Sequence, residues 1–171
     1  SAIEPLNETL EADIADELAI DDVSVEPLSA SGDTLVVDAN GEGQYTSISS
    51  AVSAATGGET ILVKNGEYSE SNTITIKESV NIIGESQDGV KITGPANSLF
   101  KGTTDKAIDV TFNKLTILNT GSGSNPALIF TYSAHNINVI NCTFDNCGSK
   151  FGTIQFGHPG TGLIDDCKIL N

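Results

Sequence analysis

From residue 59 onward the chain is a succession of short β-branched runs. They read "ETILV", "NTITI", "SVNII", "GVKIT", "AIDVTF", "KLTIL", "PALIF", "INVINCTF", "GTIQF" and "GLIDDCKIL", each bounded by Gly, Asn, Asp or Ser. Runs of that length and composition predict strands separated by turns. Some of them repeat. Leu115, Cys142 and Cys167 open the pentapeptides "LTILN", "CTFDN" and "CKILN", spaced by 27 and then 25 residues. The same alignment matches Ile117 with Phe144 and Ile169, and Asn119 with Asn146 and Asn171. Separately, "ALIF" from Ala127 matches "TIQF" from Thr153 at an offset of 26.

A period of ~20–30 residues that holds several strands and no helix predicts an all-β, right-handed parallel β-helix, one period to each coil. Coils stack like strands of a parallel sheet, ~4.8 Å apart, so equivalent positions lie above one another. Leu115, Cys142 and Cys167 then form one inward column and Ile117, Phe144 and Ile169 another. Asn119, Asn146 and Asn171 form an amide ladder at a bend. Thr116, Thr143 and Lys168, between those positions, are expected to face water. A β-sandwich of hairpins is the rival, and it requires no such constant offset.

Before the strands, Thr34–Asp38 predicts a strand and Ala39–Gly43 a Gly-rich turn. Ile48, Ala51, Val52 and Ala55 follow helical spacing and predict a helix over about residues 46–56. Thr46 or Ser47 can cap its start and Gly57 its end. Such a helix would cover the apolar cross-section of the first coil. Residues 1–33 read as a separate arm. Leu6, Leu10, Ile14 and Leu18 predict a short helix from about residue 8 to 19, and Val23 and Val25 a brief strand or an extended linker. The β-helix domain is therefore residues 34–171. It is expected to be truncated at its C-terminus, since the sequence stops on a ladder position without a cap.

Charge sharpens that division. The chain of 171 residues has a formal charge of −15, and the arm alone holds ten of the 23 acidic residues and none of the eight Lys. The balance argues against nucleic acid and anionic membranes as partners. No apolar run approaches the ~18–20 residues that cross a bilayer. Aromatic residues are few and Gly is frequent, which suits short strands and turns better than helix packing. Asn7-Glu-Thr9 and Asn141-Cys-Thr143 are glycosylation sequons and fit a secreted or cell-surface protein. Three Cys exclude a disulfide scaffold; as inward column members they are expected to be buried structural thiols.

The segment "VVDANGEGQYTSISSAVSAATGGETILVKNGEYSESNTITIKESVNIIGES" resembles the opening of pectin-lyase-like β-helix proteins. It is most similar to the N-terminal cap and first coils of pectin methylesterases, through Asp38, Gly41, Tyr45, Ile48, Ala51, Val63, Gly66, Tyr68, Glu70, Ile82 and Gly84. Among non-enzymatic members it resembles the adhesin-like and surface-layer β-helix proteins of methanogenic archaea, which are rich in Asn, Thr, Ser and acidic residues. The resemblance implies packing roles for Tyr45 and Tyr68. It also defines what is missing. The related enzymes use Asp with Gln and Arg, or acidic calcium ligands with a Lys or Arg base. This chain has no Arg at all, so the bidentate clamp on a uronate carboxylate is absent.

The residues that could still carry chemistry are few. Asp165 and Asp166, with Asp145 about one coil below, could pair carboxylates on one face. The "GHPG" turn at 157–160 is similar to a Gly-His-Gly element, with Pro159 in place of the second Gly. His135 has no His, Cys or carboxylate at ligand spacing. No cofactor is expected, and calcium only as a weak ligand of Asp and Asn at the bends. The expected function is a non-catalytic, secreted or cell-surface module, adhesin-like or part of a surface layer or filament, that binds carbohydrate or neighbouring subunits. One alternative is a carbohydrate-active enzyme, a polysaccharide lyase, hydrolase or pectin-type esterase, using Asp145, Asp165 and Asp166 or coils beyond residue 171. The other is a subunit that polymerises through its coil ends and N-terminal arm.

Overall fold

The computed structural model describes residues 33–157 and 159–170. The arm with its expected helix and strand, Asn7, His158 and the ladder position Asn171 lie outside them. The described chain opens with β1 (Thr34–Val37) and a turn closed by hydrogen bonds between Val36, Asp38 and Tyr45. The helix α1 (Ile48–Ala54) follows. Three-strand coils come next: β2 (Glu59–Val63), β3 (Gly66–Ser69) and β4 (Ile74–Ile76), then β5 (Val80–Gly84), β6 (Val90–Thr93) and β7 (Phe100–Gly102). Two more are β8 (Asp109–Asn113), β9 (Thr116–Leu118) and β10 (Leu128–Phe130), then β11 (Asn136–Ile140), β12 (Thr143–Asp145) and β13 (Ile154–Phe156). A last coil begins with β14 (Thr161–Asp165) and β15 (Lys168–Leu170).

Every ladder between these strands is parallel, and each strand pairs with its counterpart one coil away. Sheet A runs β1-β2-β5-β8-β11-β14, sheet B β3-β6-β9-β12-β15, and sheet C β4-β7-β10-β13. The fold is an all-β parallel β-helix. Parallel strands cannot be joined by tight hairpins, so the hairpin sandwich is excluded.

The predicted columns form in register. Phe144 pairs with Ile117 below and Ile169 above, and Ile117 continues down to Ile92 and Tyr68. Leu115 and Cys142 are fully buried and Cys167 partly so. Phe100, Phe112 and Phe130 make a ladder of their own across the interior, with ring centroids 4.9 and 5.9 Å apart in tilted and edge-on contact. Gly102 makes that possible: a Cβ there would lie 2.6 Å from the Phe130 ring and 2.8 Å from His135 Nε2.

The coil bends turn on left-handed backbone. Asn119 and Asn146 have φ of 49° and 50°, and Asn146 Nδ2 donates to Asn119 Oδ1 at 2.8 Å, which is the expected amide ladder. A second column at the bend between sheets A and B, Lys114, Asn141 and Asp166, has φ of 57°, 51° and 46°. Asn and Asp tolerate that region better than other L-residues.

The helix is shorter than expected. Ser47 caps it, its hydroxyl accepting from Ser50 N. Glu70, from the far end of the first sheet B strand, accepts from Ile48 N at 2.8 Å and Ser49 N at 3.2 Å, so a carboxylate sits on the positive end of the helix. Ile48, Ala51 and Val52 are buried against β1, β2 and β4, covering the first coil. Tyr68 is buried and its hydroxyl donates to Lys64 O at 2.7 Å, a packing role.

One expectation is corrected. Thr116 and Thr143 do not face water; both are buried, and only Lys168 of that set is exposed. The segment from Glu85 to Gly89 lies across the outer side of sheet B. Thr116 Oγ1 donates to Gln87 O at 2.8 Å, and Gln87 Nε2 donates to Thr143 Oγ1 at 2.9 Å. The strap reaches two coils, and nothing in the period of the strands announces it. No helix among the described residues is long and apolar enough to cross a membrane.

Candidate functional site: a groove on the outer face of sheet C

Sheet C presents one side chain per strand outward, and the register aligns Thr75, Lys101, Ile129 and Gln155 in a row. Over its middle strands the row forms the floor of an open surface groove of about 380 Å³. One wall comes from the connections that lead into sheet C and carries Thr73, Asn97, Ser98 and Asn125. The other is Tyr132, just past the end of β10.

The wall is a stacked structure. Thr73 Oγ1 donates to Ser98 O at 2.6 Å, Ser122 Oγ to Ala96 O at 3.0 Å, and Gly121 N to Asn97 O at 3.2 Å. Asn125 Nδ2 reaches Asn97 Oδ1 at 3.4 Å, so two amides stand side by side on adjacent coils at the groove edge. Gly121, at φ 77°, admits no side chain, because a Cβ would fall 2.6 Å from Asn125 O.

Tyr132 is the unusual element. It is 80% exposed and holds a φ of 78°, uncommon for a bulky residue. Strained backbone clusters at binding and catalytic sites. An exposed aromatic ring, paired amides and a Lys ammonium beside Ile129 could serve a sugar ring, with a flat face for its C–H side, donors and acceptors for its hydroxyls, and a cation for any acidic substituent.

The acidic residues singled out by sequence lie elsewhere. Asp145 ends β12 in sheet B, in register with Leu118 and Leu170. Asp165 ends β14 in sheet A, in register with Ile140, and Asp166 occupies the left-handed bend that follows. Asp165 and Asp166 are therefore neighbours at the A–B bend of the last coil, and Asp145 belongs to a different sheet. Among the described residues no three His, Cys, Asp or Glu side chains converge as metal ligands would.

The remaining residues fall into the interior or the bends. Asn141 sits in the left-handed column and donates through Nδ2 to Asn113 Oδ1 at 3.3 Å. Its sequon partner Thr143 is the buried residue under the strap. A glycan would have to be attached before this coil closes. None of the three Cys is in a disulfide. Cys142 Sγ donates to Ile140 O at 3.2 Å, and burial pushes its thiol up to about 12. Burial also raises the Cys147 thiol. Thiols held protonated in this way are unreactive.

Sequence reasoning missed Tyr132. Its only signal was an aromatic residue two positions beyond the inward Phe130, in a turn of small polar residues, "TYSAH". No protein-family model matches the chain, nor does any curated protein or any solved structure.

Proposed function

We propose that this chain is a non-catalytic β-helix module of a secreted or cell-surface protein, and that it binds carbohydrate in the groove on sheet C. The observation that carries the reading is the exposed, strained Tyr132 set against the Asn97–Asn125 amide pair over a floor that holds Lys101 and Ile129. The resemblance of the first coils to pectin-lyase-like proteins, and to adhesin-like archaeal surface proteins among them, supports the same reading, as does the lack of any Arg. A rigid solenoid suits the role, because stacked coils hold a row of weak contacts at fixed spacing and many weak contacts add up.

Affinity electrophoresis in gels containing polygalacturonate, as an acidic polymer, or xyloglucan, as a neutral one, tests it. Retardation by at least one polymer, lost in Tyr132→Ala and kept in Asp165→Asn, is the expected result; stacking of one ring is worth ~1 kcal/mol or more. Equal retardation of Tyr132→Ala refutes the groove. Polymer cleavage or de-esterification, with or without calcium, that disappears in Asp165→Asn or Asp166→Asn establishes the enzyme instead.

A second reading is a subunit that self-associates. Molar mass measured with and without residues 1–33 decides it: one monomeric value for both removes the polymerising subunit.

A further inference from the structure

We propose that His135 is an acid-sensitive latch for the loop that carries Tyr132, so that mild acid opens the groove. The latch stands on its own geometry; only its consequence for binding rests on the carbohydrate reading.

His135 is 1% exposed. Its Nδ1 accepts from Ile108 N at 3.3 Å, which places the ring proton on Nε2. Nε2 itself has no hydrogen-bond partner. The ring stands edge-on to Phe130, with centroids 5.9 Å apart at 85°, and the Gly102 backbone closes the other side. A neutral imidazole fits this box. An imidazolium does not: its second proton would sit on Nδ1, turning the Ile108 contact into donor against donor, and its charge would be buried without a counter-charge.

The charged groups on the surrounding elements give no relief. Lys101 on β7, Asp105 and Lys106 in the connection that follows, Asp109 on β8 and Asp165 on β14 are all exposed. Lys106 is paired with Glu78 at 2.7 Å. His158, between β13 and β14 in sequence, lies outside the described residues, and the His158→Gln variant separates its titration from that of His135.

The same residue anchors the loop. His135 O accepts from Thr161 N at 2.8 Å, His135 N donates to Ser133 O at 2.8 Å, and Asn136 N donates to Ile108 O at 3.0 Å. Ser133 Oγ donates to Thr104 O at 3.1 Å. Tyr132 lies between this anchored segment and Phe130, whose carbonyl accepts from Gly157 N at 2.8 Å, and its backbone is strained. Releasing His135 lets the strain relax and moves the ring that forms the groove wall.

The sign follows from burial, which outweighs the opposing pull of the Thr103 backbone and holds the His135 pKa below its ordinary value. The closed loop keeps the ring neutral, whereas the open loop takes up a proton near the unperturbed ~6.5. The closed form is therefore at full strength above ~6.5 and loses ground as pH falls, by up to about tenfold in the opening equilibrium per pH unit.

Amide hydrogen exchange of Ile108 and Thr161 between pH 7.5 and 5.5, corrected for intrinsic exchange, reads the latch without any ligand. We expect the opening constant to be about tenfold larger at pH 5.5 than at 7.5, and about fivefold larger than at 6.5. In His135→Gln, which keeps an acceptor for Ile108 but cannot titrate, it should be flat, and in His158→Gln the wild-type response should remain. No response in the wild type, a response surviving in His135→Gln, or one abolished in His158→Gln overturns the proposal. If His135→Gln does not fold, the ring resonances of the wild type decide. A His135 ring that titrates at the ordinary value while these amides stay protected overturns the latch, and one that titrates lower, in step with their deprotection, supports it. Polygalacturonate and xyloglucan gels run at both pH values add the consequence. An acid response in exchange with no retardation at either pH sinks the carbohydrate reading and leaves the latch standing.

Discussion

The first and last described coils are made of the same kinds of residue and differ in what lies over them. At the first coil Ile61 and Ile76 are completely buried, under a helix that lays Ile48, Ala51 and Val52 on β1, β2 and β4. At the last described coil Ile164 and Ile169 stand in the inward columns of Ile61 and Tyr68 and are 50% and 55% exposed, though their register partners Val139 and Phe144 are fully buried. A coil of this fold does not bury its own side chains; the next layer does. Stability is then close to a sum of nearest-neighbour terms, and the value of a residue depends on whether something lies over it.

The sharpest way to break that comparison is to remove the same column at two heights. Phe144→Ala, covered on both sides, should cost ~3–5 kcal/mol, whereas Ile169→Ala on the uncovered coil should cost under about 1 kcal/mol. Denaturant midpoints at unchanged slope measure both. A comparable cost at Ile169 would mean that the last coil is covered in solution, and would favour self-association.

A smaller effect separates the ends by pH. At the covered end the Glu59 carboxylate accepts from the Thr56 hydroxyl, from Thr56 N at 2.8 Å and from Gly57 N at 2.7 Å. The Thr56 hydroxyl bond above all, opposed by burial and helped by the backbone donors, lowers its pKa to about 2. The folded state thus prefers the ionised form. The stability this confers is complete above the ordinary carboxylate value and is lost as pH falls toward about 2. Glu59→Gln should cost ~1–2 kcal/mol near neutrality and flatten the acid limb between pH 4.5 and 2. Unfolding midpoints followed down the pH scale check it; an acid limb as steep in the variant would place the sensitivity elsewhere.

How much of this the sequence carried depends on what fixed each residue. Leu115, Cys142 and Cys167 were legible because stacking forces equivalent positions to recur wherever the connections keep a steady length. Earlier coils hide the same rule. The register Thr60, Asn81, Thr111 runs at spacings of 21 and then 30 residues, since the strap from Glu85 to Gly89 and the longer turns fall between them. Strands β3 and β7, "GEYS" and "FKG", contain no β-branched residue and one aromatic residue each, so their local strand signal is weak and their pairing with neighbouring coils holds them extended. The helix was predicted from its apolar spacing, but Glu70 as its cap was not, because that contact joins residues 22 apart through the coil. The groove was missed for a related reason. Its floor comes from the strand period, yet Tyr132, Asn97 and Asn125 stand on turns whose conformation no period sets. Asp145 was expected about one coil below Asp165 and Asp166; it aligns instead with Leu170 in sheet B, whereas Asp165 ends a strand of sheet A.

The smallest predicted effect lies in the bends, where the middle of the solenoid can be compared with its last coil. Lys114, Asn141 and Asp166 share one left-handed position, and only Lys114 lacks a short polar side chain suited to it. The backbone there cannot relax, because the preceding coil presses on it: a Cβ on Gly84 would fall 1.9 Å from Lys114 O. Left-handed backbone costs an ordinary L-residue ~1–2 kcal/mol, and Asn less. Lys114→Asn should therefore raise stability by about 0.5–1 kcal/mol. It would also place a third amide in line with Asn141, which already bonds Asn113. Asn141→Ala should lose ~1 kcal/mol by the converse argument. Midpoint shifts of opposite sign in the two variants are the expected result. A loss in Lys114→Asn would show that the aliphatic stem of Lys114, lying beside Glu85 and Gln87, contributes more through packing under the strap than the bend costs in strain.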